Sequence, residues 1–124
     1  MTVHSSWYYH IRKKWVIIID TQFKKGVLEL LVLVIVSGKD MYGYELVEKV
    51  SDIVDVNEGT IYPILKRLTI EKYFEAYLEE SREGPPRKYY HLTISGEKHL
   101  KELLESWKEF ESRVNKFLKR SEKK

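Results

Sequence analysis

A mainly α-helical domain with a small β-hairpin and one long final helix is what this sequence predicts, on three observations. Residues 57–68 carry one apolar stripe at helical spacing (Ile61, Ile64, Leu65, Leu68) with a polar, cationic face behind it. The period then changes from 3.6 to 2 over two short runs that flank a loop rich in glycine and proline. Finally, apolar residues from Leu100 to Phe117 recur at alternating steps of three and four. Helices closed by a short turn, followed by a hairpin, make a winged helix-turn-helix, here with a long C-terminal dimerisation helix attached.

The chain of 124 residues suits one domain, and 43% apolar with 33% charged residues argues against disorder throughout. The absence of cysteine excludes disulfides, thiolate metal sites and cysteine nucleophiles, and it fits a reducing, cytoplasmic location. His4, His10, His91 and His99 lack metal-ligand spacing. With no Ser/His/acid pattern and no phosphate-cradling glycine loop either, neither an enzyme nor a cofactor is expected. The apolar runs Trp15–Ile19 and Val27–Val36, the second broken by Glu29, are too short to span a bilayer.

Residues 1–19 are unlike the rest: aromatic, then basic at Arg12-Lys13-Lys14, then apolar. They read as an atypical extension, with the functional chain beginning near Asp20. Asp20 or Thr21 is expected to cap a buried first helix through Val36, which Ser37-Gly38 ends. Lys39-Asp40-Met41 reads as a turn, and a second helix opens at Tyr42-Gly43-Tyr44 with Leu46, Val47 and Val50 inward. Ser51 to Val56 is a connection. Asn57 then caps the third helix by accepting from a backbone N–H two or three residues on, and Glu58 sits where the dipole favours an acid.

Opposite the stripe of that third helix lie Thr60, Tyr62, Pro63, Lys66 and Arg67, groups suited to base edges, sugars and phosphates in a major groove. Tyr73–Glu79 and Arg87–Thr93 read as strands around Ser81-Arg82-Glu83-Gly84-Pro85-Pro86, a loop expected to be irregular, with Arg82, Arg87 and Lys88 as its cations. The domain so bounded runs over residues 20–93. Ser95 or Thr93 caps the last helix, residues 94–120, before a frayed tail at 121–124. Leu100, Leu103, Leu104, Trp107, Phe110, Val114, Phe117 and Leu118 form its apolar seam, which pairs most simply with its own copy or else folds back on its own domain.

The residues now resemble the PadR family of winged-helix transcriptional repressors, in its short form with a single C-terminal helix. The matching pieces are Lys25-Gly26-Val27-Leu28-Glu29-Leu30-Leu31, Tyr42-Gly43-Tyr44-Glu45-Leu46, and Gly59-Thr60-Ile61-Tyr62-Pro63 with Leu65, Arg67 and Leu68. Pro86-Arg87-Lys88-Tyr89-Tyr90 and Leu92-Thr93 with Gly96 complete them. The resemblance implies a homodimer on double-stranded DNA, with its two Asn57 helices in successive major grooves of a pseudo-palindromic site. Thr60, Tyr62 and Lys66 would then face bases. Tyr42 and Tyr44 would lie at the backbone, while Arg82, Arg87 and Lys88 would reach a flanking phosphate or the minor groove. Tyr89 and Tyr90 point to opposite faces, so one of them, taken as Tyr89, faces DNA.

The resemblance extends to members that sense drugs by stacking a planar aromatic compound on tryptophans at the dimer centre. Trp107 stands in the matching place, with Leu103, Phe110, Glu111 and His99 around it. Two departures stand out: the family usually has glycine where Lys72 stands and an acid where Thr69 stands. Lys72 must adopt a left-handed conformation or let the helix run on. The alternative function is a winged-helix interaction module that does not read DNA. It is favoured by the weak net charge of +3 and by the six Lys/Arg set against six Asp/Glu between Asn57 and Thr93.

Overall fold

A computed structural model describes residues 25–122 of the chain. The reading of residues 1–19 as an extension, and of Asp20 or Thr21 as a helix cap, lies outside the described residues. Within them, helix α1 (25–38) is followed by β1 (Met41–Tyr42), α2 (Gly43–Ile53), α3 (Glu58–Ile70), β2 (Phe74–Ser81), β3 (Gly84–Leu92) and α4 (Ile94–Glu122). The three strands form an antiparallel sheet in the order β1-β3-β2.

Leu28, Val32, Leu33 and Val36 of α1 turn inward against Leu46 and Val50 of α2 and the four stripe residues of α3. Phe74, Tyr90 and Leu92 close this core from the sheet, and Leu100 closes it from α4. The first helix is less enclosed than expected: Val34 is 41% exposed, and the helix continues over Ser37 and Gly38.

Three local readings need correction. The turn at Lys39-Asp40-Met41 leads into a strand, since Met41 pairs with Tyr90 and Tyr42 with Tyr89. Two residues carry no period, so pattern alone could not find it. Helix α2 runs to Ile53, which leaves a shorter connection before Asn57. The wing loop also shrinks, because Gly84, Pro85 and Pro86 belong to β3, and Arg82-Glu83 alone make the turn. Proline is tolerated here because β1 pairs only with Tyr89 and Tyr90, so the outer half of β3 has one neighbour. A register shift between Glu79 and Ser81 absorbs the prolines.

Helix α3 ends where glycine was missed. Lys72 takes φ 67. Its N–H donates to the Thr69 carbonyl at 3.0 Å, and the Tyr73 N–H donates to Leu68 at 2.9 Å, the paired bonds of a Schellman ending. Thr93 then caps α4, its hydroxyl accepting from the Gly96 N–H at 3.0 Å. The helix continues past Leu118 to Glu122, two residues into the stretch expected to fray.

Candidate nucleic-acid interface

The polar face of α3 is held by its own cap and stripe. Asn57 Oδ1 accepts from the Thr60 N–H at 3.2 Å and from the Thr60 hydroxyl at 3.3 Å, fixing that side chain. Ile61, Ile64, Leu65 and Leu68 are buried, which obliges Tyr62, Pro63 and Lys66 to face outward. Pro63, the sixth residue of α3, leaves the Gly59 carbonyl without its helical donor.

Gly43 brings the helices together at this surface. A Cβ there would lie 3.3 Å from the Tyr62 ring and 3.4 Å from the Tyr90 ring, a tight fit that a side chain would take up by shifting those rings a few tenths of an ångström. Tyr42 precedes α2 without a side-chain cap bond. Its ring lies 6.4 Å from Tyr44 and 5.9 Å from Tyr89, and the Arg87 guanidinium sits 4.9 Å over it. Burial, then Glu58 and the neighbouring phenols, raise the Tyr62 pKa, so its hydroxyl stays a neutral donor. Residues from α2, α3 and the wing thus meet on one surface: Tyr42, Tyr44, Tyr62, Tyr89 and Arg87.

Other expected residues fall differently. The register puts Arg87 beside Tyr89 on the outer face of the wing, and Lys88 on the face of Tyr90, whose ring its Nζ approaches at 5.9 Å. Arg82 is exposed at the wing turn, where Glu83 sits 3.8 Å from Arg87. Arg67 lines the same face as Thr60 and Pro63, with its charge engaged by acids. Its guanidinium lies 3.0 Å from Glu29 and 3.2 Å from Glu71, tying α3 to α1. Lys25 lines a shallow groove with Gly59, Thr60, Pro63, Ile64 and Arg67, a neighbourhood that sequence spacing did not give.

The seam of α4 divides in two. Leu100 is 8% exposed and belongs to the core, so it leaves the expected dimer interface. Leu103, Trp107 and Phe110 line an apolar groove of about 330 Å³ with Gly26, Val27, Leu30 and Ser106. Beyond it Val114, Phe117 and Leu118 are exposed. His99 and Glu111 are not at this groove. The His99 ring stacks on Tyr73 at 4.1 Å, and Glu111 points to solvent.

The family model described as "Transcriptional regulator PadR-like family" matches residues 32–102, more than half of the chain. A curated protein of Lysinibacillus sphaericus, described only as uncharacterised, is 32% identical over 98 residues, spanning 76% of this chain and 90% of its own. The crystal structure of a PadR-like transcriptional regulator from Bacillus cereus is 44% identical with a TM-score of 0.71, over 78% of this chain and 96% of that one. A PadR family regulator from Eggerthella lenta is 28% identical with a TM-score of 0.75, over 91% and 96%. A winged helix carrying such a face is a DNA-binding transcriptional regulator, not an enzyme. The chain belongs to the PadR-like family of transcriptional regulators. Among the described residues no helix is long and apolar enough to cross a membrane.

Proposed function

We propose that the chain is a homodimeric repressor that reads a pseudo-palindromic operator with Thr60, Tyr62 and Lys66 of α3. In this reading Tyr42, Tyr44, Arg82 and Arg87 position it on the backbone. The observation that carries this is the convergence of α2, α3 and wing side chains on one surface, while the second half of α4 presents bare apolar residues. A second copy covering Val114, Phe117 and Leu118 would set two α3 helices at a fixed distance.

The same reading makes the groove at Trp107 a place for a planar aromatic compound that relieves repression. Its support is an almost wholly apolar lining with Trp107 and Phe110 tilted 39° to one another. A compound wedged there would tilt α4 and misplace the recognition helices, costing DNA affinity.

The test removes two cations from the proposed face. Lys66→Ala with Arg87→Ala is expected to abolish specific binding and leave the dimer intact, each lost phosphate contact lowering the salt slope by about one unit. Unchanged binding would mean that a different face meets DNA.

A further inference from the structure

Arg67 and His99 are drawn together by one acid in α1. Glu29 Oε1 lies 3.0 Å from Arg67 Nη2 of α3 and 3.5 Å from His99 Nε2 of α4. Neither partner is free to swing. Arg67 is also gripped by Glu71 at 3.2 Å, and the His99 ring lies flat on Tyr73, 3° from parallel. His99 Nε2 is enclosed and has no hydrogen-bond partner, so the Glu29 carboxylate is the polar group it faces.

One turn earlier, α4 is fixed a second time. The Lys72 carbonyl accepts from the Thr93 hydroxyl at 2.7 Å and from Ser95 at 2.9 Å. Gly96 lies so close to the Tyr73 carbonyl oxygen that a Cβ would collide with it. A single anchor would let α4 pivot on the end of α3. Leu100 in the core, with Leu103 and Trp107 beside Val27 and Leu30, limits that pivot, and Glu29 adds an acid that faces α3 and α4 together.

We propose that Glu29 is a positioning residue for DNA reading, setting the angle between the dimerisation helix α4 and the recognition helix α3 through His99 and Arg67. This rests on the dimeric two-half-site reading above. In a dimer built on α4, that angle fixes the distance between the two α3 helices and so the half-site spacing the protein accepts.

The test uses full-length protein and a duplex selected from a random library, then re-made with one base pair added to or removed from its centre. The wild type is expected to lose about tenfold in affinity on either change. Glu29→Gln should shrink that discrimination to about threefold or less with the dimer retained, its Tm falling no further than that of Arg67→Ala. His99→Phe, which keeps the stacking on Tyr73 but loses the nitrogen, should act in the same direction and decides the matter if Glu29→Gln does not fold. Variants that keep the full spacing preference would overturn the role of Glu29 alone. A wild type with no spacing preference would overturn the two-half-site reading, and this inference with it.

Discussion

Lys72 holds a backbone conformation that glycine reaches without strain, and the two hydrogen bonds of the Schellman ending keep it there. Lys72→Gly is therefore expected to stabilise the fold by about 0.5–1 kcal/mol, the left-handed strain it relieves outweighing the entropy it adds to the unfolded chain. Thermal melting of the two proteins checks this, and an unchanged or lower Tm would contradict it. Two cations of similar sequence prominence should behave oppositely. Lys25, in the groove beside Thr60, should on change to alanine lower the salt slope of DNA binding by about one unit without altering sequence preference. Arg67→Ala should lower Tm and leave that slope alone, because its charge is spent on Glu29 and Glu71. Spacing could not separate these two roles, since the partner Glu29 lies thirty-eight positions away from Arg67.

The wing is tied to the α1–β1 turn by Asp40, whose carboxylate accepts from the Tyr77 hydroxyl at 2.7 Å and from His91 Nδ1–H at 2.7 Å. Tyr77 donation, then that of His91, holds the Asp40 carboxyl below the usual range, and the Tyr77 phenol is pushed up to about 12 by the same bond. The bond to Asp40 raises the His91 pKa. The Asp40 contribution is present above its ordinary value of 3.8 and fades as pH falls through its lowered one. The His91 contribution is full below its ordinary value of 6.5 and fades as pH rises through its raised one. All three groups are exposed, so the effect is small and screened by salt. Going from about pH 6 to about pH 8, the wild-type Tm should fall more than that of His91→Gln, and the difference should shrink in high salt. Parallel curves would contradict the latch.

At this scale the sequence was legible wherever a period ran long enough. The α3 stripe stands where spacing placed it, and the two wing strands and the α4 helix exist as expected with shifted ends. It was illegible where tertiary contact decides. Two-residue β1 exists only because β3 offers Tyr89 and Tyr90 to pair with, and Pro85-Pro86 are extended because one flank of β3 is open. The meeting of Tyr62 and Tyr90 at Gly43 was not readable, since it depends on how α2, α3 and β3 pack. Nor was the reassignment of His99 to α1 and Tyr73, since helical spacing placed it two turns from Trp107 without saying which neighbour its ring would meet.

For the molecule as a whole, the balance of charge over residues 57–93 means that bulk attraction cannot carry DNA binding. In the proposed reading affinity comes from placed cations: Lys66 on α3, Arg82 and Arg87 on the wing, and Lys25 beside Thr60. In the proposed dimer a second copy covers the exposed half of α4, and a two-fold pair would double the number of phosphate contacts. Both features meet in one experiment, a gel-shift titration of the full chain at two salt concentrations. It uses the duplex upstream of the chain's own gene beside an unrelated duplex of equal length. The expected result is two chains per duplex, preference for the upstream piece, and affinity that falls steeply as salt rises. Equal binding to both duplexes, or none at low salt, would contradict it and leave a winged helix whose partner is another protein.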